Sequence, residues 1–265
     1  MRRASIALMT LLLAASMAAC GGGPTATRES AAATTGTAAQ PSKAPIQTSK
    51  LPRGGEPVRL DPARFTAQID NPYWPMAPGR RWVYRETDAE GNEQRVEVTV
   101  TDTTKKILGI DARVVHDIAT GNGQVQEDTY DWYAQDDQGN VWYLGEDTKE
   151  YKDGKVASTE GSWQGGVDGA QPGILVPAHP NPGMTYRQEY YKGQAEDGAQ
   201  VLRLGMRVKG PTGMFDQVLV TKEFTPLEPD VVEHKFYAPG VGQVLAITVA
   251  GGSSRQELLQ FKNAP

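Results

Sequence analysis

Cysteine is all but absent from this chain: there is one, Cys20, in 265 residues. A single thiol excludes an internal disulfide framework and any cysteine-rich zinc site. Histidine is nearly as scarce. His116, His179 and His234 stand in separate segments, an arrangement that does not favour a metal triad. A basic excess is missing too: 27 Lys and Arg face 32 Asp and Glu, so the electrostatic footprint of a nucleic-acid binder is not there. No apolar run reaches the ~20 residues that a membrane-spanning helix needs, and mean hydropathy is -0.49. Hydrolase and nucleotide signatures are lacking as well, with no Gly-x-Ser-x-Gly, no His-Glu-x-x-His and no phosphate-cradling glycine loop ahead of a helix. What the chain does have is 29 glycines and 18 prolines without a collagen-like period, which predicts many turns and few long helices.

The first twenty residues read as an address. Arg2 and Arg3 precede an apolar run from Ala4 to Ala19 that only Ser5, Thr10 and Ser16 interrupt. Charge, short apolar run and small residues in that order are the pattern of an export signal. The run ends Leu13-Ala14-Ala15-Ser16-Met17-Ala18-Ala19-Cys20-Gly21. This resembles the lipobox of bacterial lipoproteins, with Met17 where leucine is usual. The resemblance implies a signal peptide over 1–19, cut before a Cys20 that receives diacylglycerol. Acyl chains contribute ~0.8 kcal/mol per buried methylene and would anchor the mature chain. Loss of 1–19 removes two arginines and no acid, carrying the net charge from -5 to -7. An acidic protein gains nothing electrostatically from an anionic bilayer, so the lipid is expected to do the membrane binding. Gly21 at the second mature position implies, by the same resemblance, an outer-membrane destination facing the periplasm in a Gram-negative host. In a host with one membrane it implies the outer face of the plasma membrane.

Residues 20–60 are dominated by Gly, Ala, Thr, Ser and Pro and hold no aromatic side chain. Such a segment cannot bury enough apolar surface to offset its ordering entropy. As a flexible coil of about forty residues it reaches roughly 30–40 Å, the length of a tether. The body is expected over 61–265. Asp61-Pro62 offers an N-cap and first-turn proline for a short helix through about Gln68, which Asn71-Pro72-Tyr73-Trp74-Pro75 ends. Beyond Pro78-Gly79 the period becomes two. Trp82 and Tyr84 alternate with Arg81, Val83 and Arg85, and Val96, Val98 and Val100 alternate with Arg95, Glu97 and Thr99. Further strands are predicted at 105–118, 123–135, 140–145, 147–152, 155–160, 184–191, 198–208, 216–224, 234–237, 243–250 and 254–261. The fold class is therefore mainly β: a single antiparallel, strongly curved sheet or half-barrel with a short N-terminal helix.

Three stretches resemble a group of uncharacterised secreted bacterial β-domain proteins. They are Pro78-Gly79-Arg80-Arg81-Trp82-Val83-Tyr84, the hairpin from Asp131-Trp132-Tyr133 to Val141-Trp142-Tyr143, and Phe236-Tyr237-Ala238-Pro239-Gly240-Val241-Gly242-Gln243-Val244. The first and last are also similar to envelope lipoproteins of the LolA/LolB type, which implies the strong curvature and says almost nothing of chemistry.

Candidate sites divide the function classes. Trp132, Trp142, Tyr143 and Trp163 would line an apolar cavity if the sheet carries a ligand, with 161–183 folding over it as a lid. If the role is structural, they pack as cross-strand pairs and 161–183 plugs the sheet. Glu127, Asp128 and Asp131 could supply paired carboxyls to a glycan hydrolase, although acids on a solvated strand face are commoner. Asp136-Asp137-Gln138-Gly139-Asn140 with Glu146 and Asp147 is rich in oxygen ligands, but its spacing is not that of an EF-hand loop and hairpin turns favour the same residues. The expectation is a non-enzymatic envelope lipoprotein without metal or cofactor. Its body would bind an apolar or amphipathic ligand or an envelope protein, the alternatives being a purely structural or assembly role and, further off, a carboxylate-dependent hydrolase.

Overall fold

The computed structural model describes residues 51–264; the signal sequence, Cys20 and the tether as far as 50 lie outside the described residues. Period-two alternation organises almost everything from Phe65 onward. The strands are Phe65–Thr66 (β1), Arg81–Thr87 (β2), Glu93–Ile107 (β3), Ile110–Gly121 (β4), Gln124–Asp136 (β5), Val141–Lys152 (β6), Lys155–Ser158 (β7) and Trp163–Gln164 (β8). They continue with Gln171–Val176 (β9), Thr185–Arg187 (β10), Glu189–Tyr190 (β11), Gly198–Gly210 (β12), Gly213–Phe224 (β13), Val232–Ala238 (β14), Gly242–Ala250 (β15) and Arg255–Lys262 (β16). All belong to one 16-stranded antiparallel sheet whose order runs β10-β12-β13-β14-β15-β16-β2-β3-β4-β5-β6-β9-β11.

The sheet curls further than the half-barrel expected from the sequence. β10 pairs with β12 at one end of the order and β11 with β9 at the other. Only Gln188 separates β10 from β11 in the chain. The two ends are therefore joined by consecutive residues, and the sheet is nearly closed into a barrel. The amides of Gln188 and Glu189 both donate to the Asp197 carbonyl, at 2.7 and 3.3 Å. Gly173 on β9 is where the seam allows no side chain: a Cβ there would sit 2.3 Å from the Gln188 carbonyl oxygen. Closure of this kind removes the exposed edges that an open sheet would have to protect.

One end of the barrel interior is apolar. Trp74 and Trp82 stack with centroids 6.1 Å apart, and Tyr237 meets Trp74 edge-on at 5.7 Å. Two polar tips in this packing find carbonyls, Trp82 Nε1 donating to Val241 at 2.7 Å and the Tyr84 hydroxyl to Gln243 at 3.0 Å; the Tyr237 hydroxyl donates to Glu223 at 3.0 Å, and Trp74 Nε1 is buried without a partner. Trp74 belongs to a loop that Asn71 holds in place, its amide donating to Gln135 Oε1 at 2.9 Å and its Nδ2 to the Gly139 carbonyl at 2.9 Å.

The N-terminal helix is a correction. Asp61 caps and Pro62 opens the segment as read, but it is a single 3-10 turn over Pro62–Arg64, and the described residues contain no α-helix. β1 takes the chain instead, pairing Phe65 with Asp136 and laying the Phe65 ring edge-on to Trp142 at 6.0 Å. Sheet pairing and ring burial outweigh what a two-turn helix could gain alone. Residues 51–60, read as the end of the tether, run along the seam. The Arg187 amide donates to the Pro52 carbonyl at 2.6 Å, and Leu51, Val58 and Leu60 pack against the core.

Candidate functional site

The other end of the interior is lined with carboxyls. On β5 the inward face reads Glu127, Thr129, Asp131, Tyr133, all buried. On β6 Tyr143 faces inward, a register shift at Gly145 follows, and Glu146 and Thr148 then return to the same face. Gly145 is required here. Its φ is 140°, and a Cβ would lie 2.4 Å from the Trp163 carbonyl oxygen. The result sets Asp131 directly opposite Glu146 across the ladder. Asp117 on β4 pairs with Thr129, one inward step away. The Tyr143 hydroxyl donates to Asp131 at 2.6 Å and the Thr129 hydroxyl to Glu127 at 3.0 Å.

The acids continue round the wall to the seam. Trp163 Nε1 donates to Glu189 at 2.6 Å, and Glu189 and Asp197 hydrogen-bond through their side chains. Beyond them Lys235 bridges Glu223 at 2.8 Å and Glu233 at 3.5 Å, while Thr221 and Tyr237 hydroxyls donate to Glu223 at 3.1 and 3.0 Å. Burial disfavours the charged form of a carboxyl, and neighbouring acids add to the effect. Desolvation, with the charges around them, pushes Asp117, Glu146 and Glu189 well above the usual carboxyl range. Desolvation likewise raises Asp131, Glu127 and Asp197 to about 7. Lys235 is raised too: desolvation opposes its charge, and Glu223 and Glu233 more than compensate. Asp117 Oδ2, Glu146 Oε1 and both amide atoms of Gln188 are buried without a hydrogen-bond partner.

A pocket of about 420 Å³ opens at the seam. Buried Glu189 and partly exposed Glu196 and Asp197 are its acids, and Tyr190, Phe224, Pro226, Pro229 and Val232 give it apolar walls. Arg53 and Lys222 stand at its rim with Gly54 and Gly55, so the end of the tether forms one wall. Arg187 also lines it. This side chain is 2% exposed and donates to the carbonyls of Gly54, Glu56 and Pro172, which leaves Nε unpartnered.

The four aromatics singled out in the sequence are all buried, in three different places. Tyr143 stacks on Tyr133 at 4.9 Å and meets Trp163 edge-on at 5.3 Å, so these two come together behind the carboxyls. Trp132 is on the opposite face of β5, under Lys105 Nζ at 3.2 Å from the ring centre. Trp142 is against Phe65, its Nε1 donating to Asp136 at 2.9 Å. Residues 161–183 are built into the sheet through β8 and β9, with Ile174, Leu175 and Val176 in the core. Of the candidate hydrolase acids, Glu127 and Asp131 face inward, while Asp128 pairs with His116 at 2.7 Å on the other face. Asp136 serves its turn, accepting from the amides of Gln138 and Asn140 at 3.0 and 2.9 Å, and Asp137 pairs with Arg64 at 2.7 Å. Among the described residues no group of three or more His, Cys, Asp or Glu is arranged to hold a metal ion. Glu189, Asp197 and Arg187 went unread because a closing seam leaves no local pattern. The visible signal was weak: two acids and an arginine flanking the turn of an aromatic hairpin.

No family model matches this chain, and no curated protein does. Two solved structures are similar to it. One, from Bacteroides fragilis NCTC 9343, is provisionally described as an exported protein with a YmcC-like fold. It is 17% identical, with a TM-score of 0.44 over 72% of this chain and 99% of its own. The other, from Parabacteroides distasonis ATCC 8503, is provisionally described as a lipoprotein. It is 13% identical, with a TM-score of 0.40 over 74% of this chain and 100% of its own.

Proposed function

We propose that this chain is an exported lipoprotein, anchored in the cell envelope through Cys20, whose β-barrel body binds a small amphipathic ligand without transforming it. The seam pocket carries this reading. A concave site of about 420 Å³ lies in the range of small-molecule pockets, which combine mostly apolar walls with a few convergent polar groups. Tyr190, Phe224 and the two prolines supply the former, and Glu189, Glu196 and Asp197 with Arg53, Arg187 and Lys222 the latter. Trp132, Trp142, Tyr143 and Trp163 then support the barrel rather than touch the ligand. A purely structural role accounts for those aromatics equally well, but leaves the pocket and the buried carboxyls behind it without a purpose. The anchor reading rests on the lipobox resemblance, and Gly21 favours the outer membrane, facing the periplasm, where the host has one.

Two measurements test the proposal. Labelled palmitate should enter the full-length chain and not its Cys20→Ala variant; equal labelling would remove the anchor. The chain from residue 21, exported behind a cleavable secretory signal and purified without detergent, should show in native mass spectrometry an excess mass that solvent extraction removes. Replacing Phe224 with aspartate should abolish that mass. An excess mass unchanged by Phe224→Asp would place the ligand elsewhere.

A further inference from the structure

The seam pocket has one wall that no strand provides. Residues 51–58 enter no element of the sheet, yet Arg53, Gly54 and Gly55 line the pocket. This strap crosses the joint between the sheet ends. Its Pro52 carbonyl accepts from the Arg187 amide of β10 at 2.6 Å, and Arg53 Nε donates to the Thr185 carbonyl of the same strand at 3.1 Å. Further along, the Val58 amide donates to Gln171 Oε1 on β9 at 3.2 Å. Glu56 folds back within the strap, accepting from the amides of Arg53 and Gly54 at 2.7 and 2.8 Å. Gly55 lies on the Tyr190 ring: a Cβ there would be 2.5 Å from Cζ. Tyr190 also lines the pocket, so one ring serves both strap and pocket.

Arg187 bolts this arrangement together. Its guanidinium donates to the strap carbonyls of Gly54 and Glu56 and to the Pro172 carbonyl of β9. Its acidic neighbour, Glu56, turns its carboxylate to the strap amides instead, and Nε is buried without a partner. A guanidinium stays charged in a protein, and burying a charge without an ion pair is costly. Lifting the strap would replace two carbonyls by water and bring water to Nε. That hydration offsets much of what the lost contacts contributed, and strap residues 53–57 are already exposed. The strap is therefore poised between docked and lifted.

We propose that residues 51–58 are a clasp whose docking is coupled to occupancy of the seam pocket. A ligand between strap and barrel touches both and holds the strap down. Lifting the strap removes a wall and releases the ligand. The clasp presupposes the binding reading above and supplies the means by which that site opens. Coupling of this kind is reciprocal: whatever factor strap docking adds to ligand affinity, the ligand adds to strap docking. It also has a direction in the chain. The strap begins where the stretch leading from Cys20 ends, so a pull on that stretch opposes docking and weakens binding.

The experiment uses the chain from residue 21, with amide hydrogen exchange as one readout and N-phenyl-1-naphthylamine, a neutral apolar fluorophore, as the probe. Only fluorescence that Phe224→Asp removes counts as pocket binding. In the wild type the Arg187 and Val58 amides should exchange at least ~100-fold faster than hydrogen-bonded amides of β3 and β4, after correction for intrinsic rates. Saturating probe should slow them. Leu51→Asp and Val58→Asp alter half-buried residues at the two ends of the strap, neither of which lines the pocket. Each should speed exchange at Arg187, leave β3 and β4 protected, and weaken probe binding at least ~10-fold. Should one of them lose protection in β3 and β4 as well, the other variant and the wild-type exchange decide. Strap amides that exchange no faster than those of β3 and β4 overturn the clasp. Fast strap exchange with probe affinity unchanged in both variants overturns the coupling and leaves the pocket reading intact. Absence of any Phe224-dependent signal overturns the pocket reading and the clasp together.

Discussion

Around Trp82 the barrel interior is filled by rings that pack on one another, with Trp82 and Tyr84 donating to nearby carbonyls. Around Asp131, built from neighbouring strands of the same sheet, it is filled by carboxyls that press against each other. β2 spans the contrast by itself, presenting Trp82 and Tyr84 at one end and Glu86 at the other. The apolar end is what stability asks for, since each buried ring removes a large area from water. The acidic end works against stability, because burying charge costs more than pairing usually returns. A stretch of interior that lowers stability and raises carboxyl pKa values is the kind of place where ligands are handled. The seam pocket opens on this end.

The sharpest way to break the comparison is to remove a ring. Trp82→Ala should lower unfolding free energy by ~3–5 kcal/mol, the range for deleting a buried aromatic from a core. Urea denaturation at about pH 5 and about pH 8 should give the same loss, because the Trp82 ring packs on Trp74 and Phe261 and donates to a carbonyl. A loss that depends on pH would mean the two ends are not energetically separate.

The acidic end should answer to pH instead. Asp131 is raised by burial from an ordinary 3.8 to about 7. A carboxyl raised in the folded state holds its proton where the unfolded chain has released it. Its contribution is full below about pH 4 and is lost as pH rises through about 7. Wild type should therefore become less stable across that window, by at most about 4 kcal/mol from this group. Asp131→Asn retains an acceptor for the Tyr143 hydroxyl and should flatten the profile. A melting temperature as steep in pH as the wild type's would show that Asp131 is not where the proton resides.

A third test moves the acids without removing one. Gly145 makes the shift in register that brings Glu146 opposite Asp131. In Gly145→Ala the Cβ meets the Trp163 carbonyl at 2.4 Å, a backbone obstacle that cannot rotate away. The expected loss is ~1–3 kcal/mol by chemical denaturation, with a change in the pH profile that a simple packing defect would not produce.

Much of this was readable from alternation alone. The strands at 123–135, 198–208 and 216–224 fall close to the observed elements, because each alternates between Gly or Asn turns, even though β12 carries three register shifts against β13. The strand read at 105–118 straddles a hairpin. Its turn is Leu108-Gly109, and Leu108 takes φ 50° in place of the usual Asn or Asp. An apolar residue at a turn hides the turn. β6 was read as two strands because Gly145 interrupts the pattern, whereas the chain only bulges there. Alternation also told that Asp131 and Tyr133 share a face, but not that the face points inward. That depends on which way the sheet curls and on the closure at Gln188, a contact between segments whose local sequence says nothing of it. The aromatics drew attention for the same reason: rings are conspicuous in a sequence, while buried acids look like surface.

The smallest effect separates the two faces of a single strand. Asp128 is next but two to Asp131 on β5, on the opposite face, partly exposed and paired with His116, which stacks on Tyr130 at 4.2 Å. Partly exposed ion pairs contribute ~0–1 kcal/mol, because water already solvates both partners. Asp128→Asn should therefore shift the urea midpoint little and leave the pH profile of the barrel as it was. Asp131→Asn, three residues along, should reshape that profile. The same substitution chemistry on one strand then reads the direction of each side chain, since only an inward carboxyl is stripped of water by the fold. If the two variants behave alike, the acidic end is wetter than its burial implies, and the contrast with the stacked rings around Trp82 is one of composition rather than of solvation.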